Sequence, residues 1–180
     1  MKKNIIGIDI GGSKIEAVFW ESGKIVSWQK IKTPRNRKRF VTAIIELIEL
    51  VRENRKLQGI GISLAGAIDM RRRVVVHSPN LRFLHGINLQ KLVEKKFRVP
   101  VRVKNDSQCF LLGEICFGQA KGKNNVIGMI IGTGIGGALY MNGQLITGKH
   151  GFAGEQGMVK LMVNHNALRV EDLISSHGFR

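Results

Sequence analysis

Two carboxylates in this chain stand where acid–base or hydrogen-bond chemistry could be done. Asp106 ends the run Val103-Lys104-Asn105-Asp106, and Glu155 lies in Gly151-Phe152-Ala153-Gly154-Glu155-Gln156-Gly157. Asp106 falls where a strand gives way to a helix, at the carboxyl end of a sheet, where open α/β folds place their ligands. There it could cap the helix, a role worth about 1 kcal/mol. It could equally take a proton from a hydroxyl whose oxygen attacks phosphorus, which contributes roughly 10²–10⁴ in rate. The residues alone leave both open. Glu155 stands among glycines that allow close backbone approach, so it could take paired hydrogen bonds from a polyol or belong to a surface turn. Ser78-Pro79-Asn80-Leu81 is a turn whose Asn80 either points inward or bonds its own backbone. His77, His85, His150, His165 and His177 show no paired metal-ligand spacing and read as structural.

Two glycine-rich turns complete the chemistry: Gly7-Ile-Asp9-Ile-Gly11-Gly12-Ser13-Lys14 and Gly132-Thr133-Gly134-Ile-Gly136-Gly137. Each lies between apolar β-like runs, so each reads as a hairpin bend in which glycines reach positive φ and bare their N–H groups. Such a bend can close on a phosphate, and a pair of them suggests two walls of one nucleotide cleft. The second turn fits the dinucleotide string Gly-x-Gly-x-x-Gly, but that fingerprint needs a following helix. Here Asn142-Gly143 predicts another hairpin instead. The first turn is not a P-loop, because Ser13 and Lys14 are in reverse order and Asp9 sits inside it. An acid repels phosphate unless a cation lies between them, so Asp9 points to Mg²⁺ held through water. Its plain alternative is a carboxylate accepting turn N–H groups.

The elements that must position these residues follow from hydrophobic period. Asn4–Ile10, Lys14–Trp20 and Lys24–Ile31 predict a three-strand meander. From Arg37 to Lys56, Phe40, Ala43, Ile44, Leu47, Ile48 and Val51 recur at helical spacing. Gln58–Leu64 reads as a continuously apolar, buried parallel strand, and residues 67–77 as a hairpin around Arg71-Arg72-Arg73. Asn88 caps a helix to Phe97; Val99–Val103 is a strand, and Asp106–Gln119 a second helix. The order is α/β with a mixed sheet. Gly11 and Gly134 hold matching places in their hairpins, so residues 1–121 read as one lobe and 122–180 as the start of a similar, incomplete one.

Composition sets the bounds. The chain has 180 residues, 43% of them apolar, enough to bury a core. No membrane span and no signal peptide are expected: Met1-Lys-Lys-Asn4 leads into a short run broken by Gly7 and Asp9. Cys109 and Cys116 sit about 10 Å apart on a helix, too far for a disulfide. They read as buried thiols of a cytoplasmic protein. The net charge of +16 is scattered over loops and helix faces with few aromatics among it, so a dedicated nucleic-acid function is not expected.

Taken together, Asp9–Lys14, Gly61-Ile-Ser-Leu-Ala-Gly66-Ala-Ile-Asp69, Ser78–Leu81, Val103–Asp106 with Gly113-Glu114, Gly132–Gly137 and Gly151–Gly157 resemble the ROK family in order and spacing. The family includes bacterial glucokinases, fructokinases and N-acetylhexosamine kinases on the actin-like, ribonuclease-H-like fold. The resemblance implies an ATP-dependent sugar kinase and favours Asp106 as general base. It implies that Asn105, Asp106 and Glu155 hold the sugar, with Asn80 and Gly66 near it and Glu171 contacting the ring. Asp9, Gly11, Gly12, Ser13, Lys14 and Gly132, Thr133, Gly134, Gly136 and Gly137 would line Mg²⁺-ATP.

Three departures accompany the resemblance. Met158 stands where the family usually has a His that contacts sugar and often binds zinc. Val163–Arg169 replaces the Cys-x-Cys…Cys run, so no zinc is expected. The family also runs to ~300 residues, and the wet core face of an unfinished lobe calls for more chain or a partner chain, a second copy included. The alternatives are a non-catalytic sugar- or nucleotide-binding remnant and, less readily, a sugar-sensing repressor, whose DNA-binding domain would precede Asp9.

Overall fold

The computed structural model describes residues 3–132 and 134–176. Contacts within the chain group it into two units, Met1–Asn105 and Asp106–Arg180.

In the first unit, β1 (Asn4–Ile10), β2 (Lys14–Glu21) and β3 (Lys24–Lys32) form the expected antiparallel meander. Strand β4 (Gly59–Leu64) joins β1 in parallel, and β7 (Val101–Asn105) joins β4, giving the order β3-β2-β1-β4-β7. Alternation along the strands decides what is buried. Ile6, Ile8, Ile10, Ile15, Ala17 and Phe19 point into one core with Phe40, Ile44, Leu47, Ile48 and Val51 of α1 (Arg37–Arg52). Asn36 starts α1 by accepting from the N–H groups of Lys38 and Arg39 at 2.9 and 3.2 Å, the usual N-cap device.

Four expectations need correction here. Helix α1 ends at Arg52, short of Lys56, because Glu53 turns to φ 52°. Strand β4 is not continuously buried; it alternates, with Gly61 and Ser63 on the face away from the core. Strand β7 starts at Val101 rather than Val99, after a left-handed Arg98 at φ 54° and Pro100. The glycines of the first turn, Gly11 and Gly12, do not adopt positive φ; they are required by close approach, as described below. Between β4 and β7 lie the hairpin of β5 (Ala67–Asp69) and β6 (Val74–His77), a single 3₁₀ turn at Arg82–Leu84, and α2 (Leu89–Phe97) capped by Asn88.

The second unit opens with α3 (Asp106–Phe117), followed by β8 (Val126–Ile131), β9 (Ile135–Met141) and β10 (Gln144–Ile146) in the order β10-β9-β8. Asn142 and Gly143, at φ 51° and 76°, make the predicted two-residue turn. Helix α3 packs on β8 and β9 and falls in the second unit, whereas the sequence predicts the lobe boundary after residue 121. Cys116 is exposed and Cys109 half-buried; the expectation of two buried thiols fails because the side of α3 that carries Cys116 is uncovered. After a loop come β11 (Lys160–Val163), β12 (Asn166–Arg169) and the short α4 (Val170–Ile174). Among the described residues no helix is long and apolar enough to cross a membrane.

Candidate active-site residues

In the first unit, register places Asp9 on a polar row crossing all five strands: Lys30, Glu16, Asp9, Ser63 and Lys104 stand side by side. This row lies on the face opposite the Ile and Phe core. The Ser63 hydroxyl donates to Asp9 Oδ1 at 2.7 Å, so the carboxylate is oriented by a neighbouring strand. The turn amide of Gly11 instead donates to the Lys14 carbonyl at 3.0 Å. Lys14 Nζ pairs with Glu16 at 2.7 Å, and Lys30 lies 3.7 Å from the same oxygen. That hydrogen bond to Glu16 raises the Lys14 pKa above its ordinary value. The Ser13 carbonyl is taken by the Thr33 N–H at 3.0 Å. The donor set at Asp9 is a solvent-facing carboxylate whose hydroxyl partner leaves lone pairs unused, which fits a hydrated Mg²⁺ held through water.

The glycines of this turn are explained by contact. A Cβ on Gly12 would stand 2.7 Å from the Asn80 Cβ, so the Ser78–Leu81 turn packs directly on the glycine turn. Gly66, at φ 153°, is closed in by the His77 carbonyl and by Ser78, whose Cβ would lie 2.8 Å from an added Cβ. Ser78 is fully buried and its hydroxyl donates to the Ala65 carbonyl at 2.6 Å. His85 accepts from the Ser78 N–H at 2.9 Å, which is a structural use of that histidine. Asn105 is buried, and its Nδ2 donates to the Gly66 carbonyl at 3.2 Å. Gly12, Asn80, Gly66 and Asn105 are thus brought into one connected set.

In the second unit, Asp106 is the first residue of α3, and its Oδ1 accepts the Ser107 N–H at 2.9 Å. Just after the second turn, the first glycines of β9 are pressed from both sides. A Cβ on Gly136 would strike Ser107 Oγ, and one on Gly137 would strike the Gln156 side chain and the Gly154 carbonyl. Neither Gly136 nor Gly137 has positive φ; the loop glycines Gly151 and Gly154 do, at 83° and 95°. Glu155 precedes a 3₁₀ turn at Gln156–Met158. Its pKa is raised, first by burial, then by the charges of Asp106 and Glu171. Burial and like charge both disfavour the ionised form of Glu155. Glu171 lies in the first turn of α4, with Oε1 2.9 Å from Arg169 Nη1 and Oε2 against Gly134. Thr133 and His177 lie outside the described residues.

Sequence reasoning missed Ser63, Ser107, Gln156 and Arg169. Ser63 could have been found from strand alternation once β4 was paired with β1 in register. Ser107 and Gln156 matter only through the glycines they touch, and no spacing in the sequence reports such contact. Gln156 Oε1 is buried with no hydrogen-bond partner.

The chain has relatives among known proteins. The model of the ROK family matches residues 5–169. Glucokinase of Streptomyces coelicolor is 37% identical over 158 residues, covering 87% of this chain and 50% of its own. N-acetyl-D-glucosamine kinase of Photobacterium profundum is 34% identical over 161 residues, covering 88% and 53%. A crystal structure of a ROK family glucokinase from Streptomyces griseus, in complex with glucose and AMPPNP, superposes with a TM-score of 0.81 at 31% identity. It covers 97% of this chain and 58% of that one. The chain spans about half the length of the curated relatives it matches. The fold is that of the solved ROK proteins, α/β with a mixed sheet of the actin-like type.

Proposed function

This chain belongs to the ROK family, and we propose that it carries the sugar-handling part of an ATP-dependent hexose or N-acetylhexosamine kinase. The observation that supports the reading best is how the segments carrying Asp106, Glu155 and Glu171 converge on one glycine run: a Cβ on Gly136 would meet Ser107, one on Gly137 would meet Gln156, and one on Gly134 would meet Glu171 Oε2. Relatives of this chain are a glucokinase and an N-acetyl-D-glucosamine kinase, and a solved relative holds glucose and AMPPNP.

In this reading Asp106 accepts the proton of a sugar hydroxyl as its oxygen attacks the γ-phosphorus of ATP. The bond from phosphorus to the oxygen bridging to ADP breaks in line, and ADP leaves with that electron pair. Asn105, Asp106, Glu155 and Glu171 take the sugar hydroxyls, with Asn80 and Gly66 shaping the turn beside Asn105. Asp9, Gly11, Gly12, Ser13 and Lys14 in the first unit, and Gly132, Thr133, Gly134, Gly136 and Gly137 in the second, serve the phosphates. Mg²⁺, when bound through water at Asp9, supplies charge neutralisation of the phosphates. Ser63 keeps Asp9 in place for that role.

An ADP-release assay across a hexose panel tests the reading. Sugar-dependent ADP release that the Asp106→Asn variant lacks is expected. No sugar-dependent release, or release unchanged in the variant, overturns it.

A further inference from the structure

We propose that Arg169 is a positioning residue for the sugar site, fixing Glu171 so that one carboxylate oxygen is held by the protein and the other is presented to substrate. The proposal rests on the sugar-kinase reading above.

The geometry is that of a guanidinium used on every side. Arg169 Nε and Nη2 reach the two oxygens of Asp172 at 2.9 and 2.7 Å, a two-pronged pair of the kind that fixes a guanidinium in plane and orientation. The Arg169 backbone N–H adds a third bond to Asp172 at 3.3 Å. Held in this way, the guanidinium has Nη1 left over. That nitrogen lies 2.9 Å from Glu171 Oε1 and 3.8 Å from Met158 Sδ. Glu171 Oε2, the other oxygen, lies against Gly134, where an added Cβ would be 3.1 Å away. One arginine thus ties the end of β12, the start of α4 and the turn after Glu155 together, and sets which Glu171 oxygen faces the glycine turn.

Two further facts point the same way. Glu171 Oε1 is paired with Arg169 while Oε2 lies on the Gly134 side, so its counter-charge leaves that side open. The two segments it joins, Met158 and residues 163–169, are those that the family resemblance associates with a zinc-binding His and Cys run. In this chain an organic cation spans them. Lysine could not do the same, because a point charge on a flexible stem cannot hold Asp172 in two prongs while offering a third nitrogen to Glu171.

Arg169 and Asp172 are both well exposed, and exposed ion pairs add little to stability. Loss of Arg169 should therefore appear in sugar affinity and not in the melting temperature. Calorimetric titration of the full chain with glucose, N-acetylglucosamine and Mg²⁺-AMPPNP tests this, using wild type, Arg169→Met, Arg169→Lys and Asp172→Asn. Sugar Kd should rise about tenfold in Arg169→Met and about three- to fivefold in Arg169→Lys and Asp172→Asn. The Kd of AMPPNP should stay within about twofold. Unchanged sugar affinity in Arg169→Met, or sugar and nucleotide affinity falling together with melting temperature, overturns the proposal alone. A wild-type chain that binds neither sugar removes the kinase reading and this proposal with it.

Discussion

Strand β1, which leads into the first glycine turn, is a central strand: β2 pairs with it on one side and β4 on the other. Strand β8, which leads into the second turn, pairs with β9 and forms an edge of its sheet among the described residues. The meanders are alike, β3-β2-β1 in one unit and β10-β9-β8 in the other, but their surroundings differ. Around β1, Ile6, Ile8 and Ile10 are buried in a core shared with α1. Along β8, one face is covered by α3, with Leu111 packed on Gly128, while Ile127, Met129 and Ile131 stay exposed on the other. Glycines beside both turns are nevertheless crowded, Gly12 by Asn80 and, at the start of β9, Gly136 by Ser107 and Gly137 by Gln156, although Gly132 meets nothing within 4 Å. Local packing around a phosphate-type turn is thus independent of how much core stands behind it. The unit with the smaller core holds the carboxylates.

The largest effect should come from the thinly cored unit. Asp106→Asn is expected to lower sugar phosphorylation by about 10²–10⁴, with sugar binding retained, as read by steady-state kinetics and calorimetry together. Lost turnover accompanied by a lowered melting temperature would make Asp106 a structural cap instead. The well-cored unit should answer in stability. Phe40, fully buried against Phe83 at 5.6 Å between ring centres, should cost about 3–5 kcal/mol as Phe40→Ala in urea unfolding. Ile127→Ser, at a position 67% exposed, should change stability by less than about 0.5 kcal/mol while reducing self-association. Equal losses at the two positions would erase the contrast between the units.

A smaller effect separates crowded from open glycines within one unit. Gly12→Ala forces a methyl into Asn80 and should cost about 1–3 kcal/mol. Gly61→Ala meets nothing within 4 Å and should be neutral or mildly stabilising. Thermal unfolding of both variants reads the difference directly. The smallest effect is confined by pH. Glu155 has a raised pKa in the folded chain, so its favourable contribution is complete below the ordinary carboxylate range and is lost as pH rises through the raised value. Glu155→Gln should match wild type near pH 3 and exceed its stability near pH 7 by less than about 1 kcal/mol. A variant less stable at pH 7 would mean that the carboxylate is satisfied there.

Much of this was legible in the chain itself. The meander, α1, α2 and the Asn142-Gly143 turn follow from period and, at Asn88, from a local capping signal. Asp106 and Glu155 were visible through the strand-to-helix junction and the glycine spacing. Less legible is why these runs are glycine-rich: positive φ is the expectation, and at Gly12, Gly136 and Gly137 contact with Asn80, Ser107 and Gln156 is the cause. Such contacts join residues tens of positions apart, and period carries no trace of them. The end of α1 was missed for a local reason, since Glu53 leaves the helix at φ 52° although the basic residues after it remain compatible with one. Arg169 was hidden because a single arginine in a short polar segment looks like any solvated charge until its four contacts are seen.

Under the proposed function, the chain positions a sugar hydroxyl for phosphoryl transfer. Phosphorus NMR of the 180-residue chain with glucose, ATP and Mg²⁺, repeated with N-acetylglucosamine, tests it most directly. A sugar-phosphate resonance growing in step with ADP is predicted for at least one of the two sugars. ADP accompanied only by inorganic phosphate, or no change in the ATP resonances with either sugar, would contradict it.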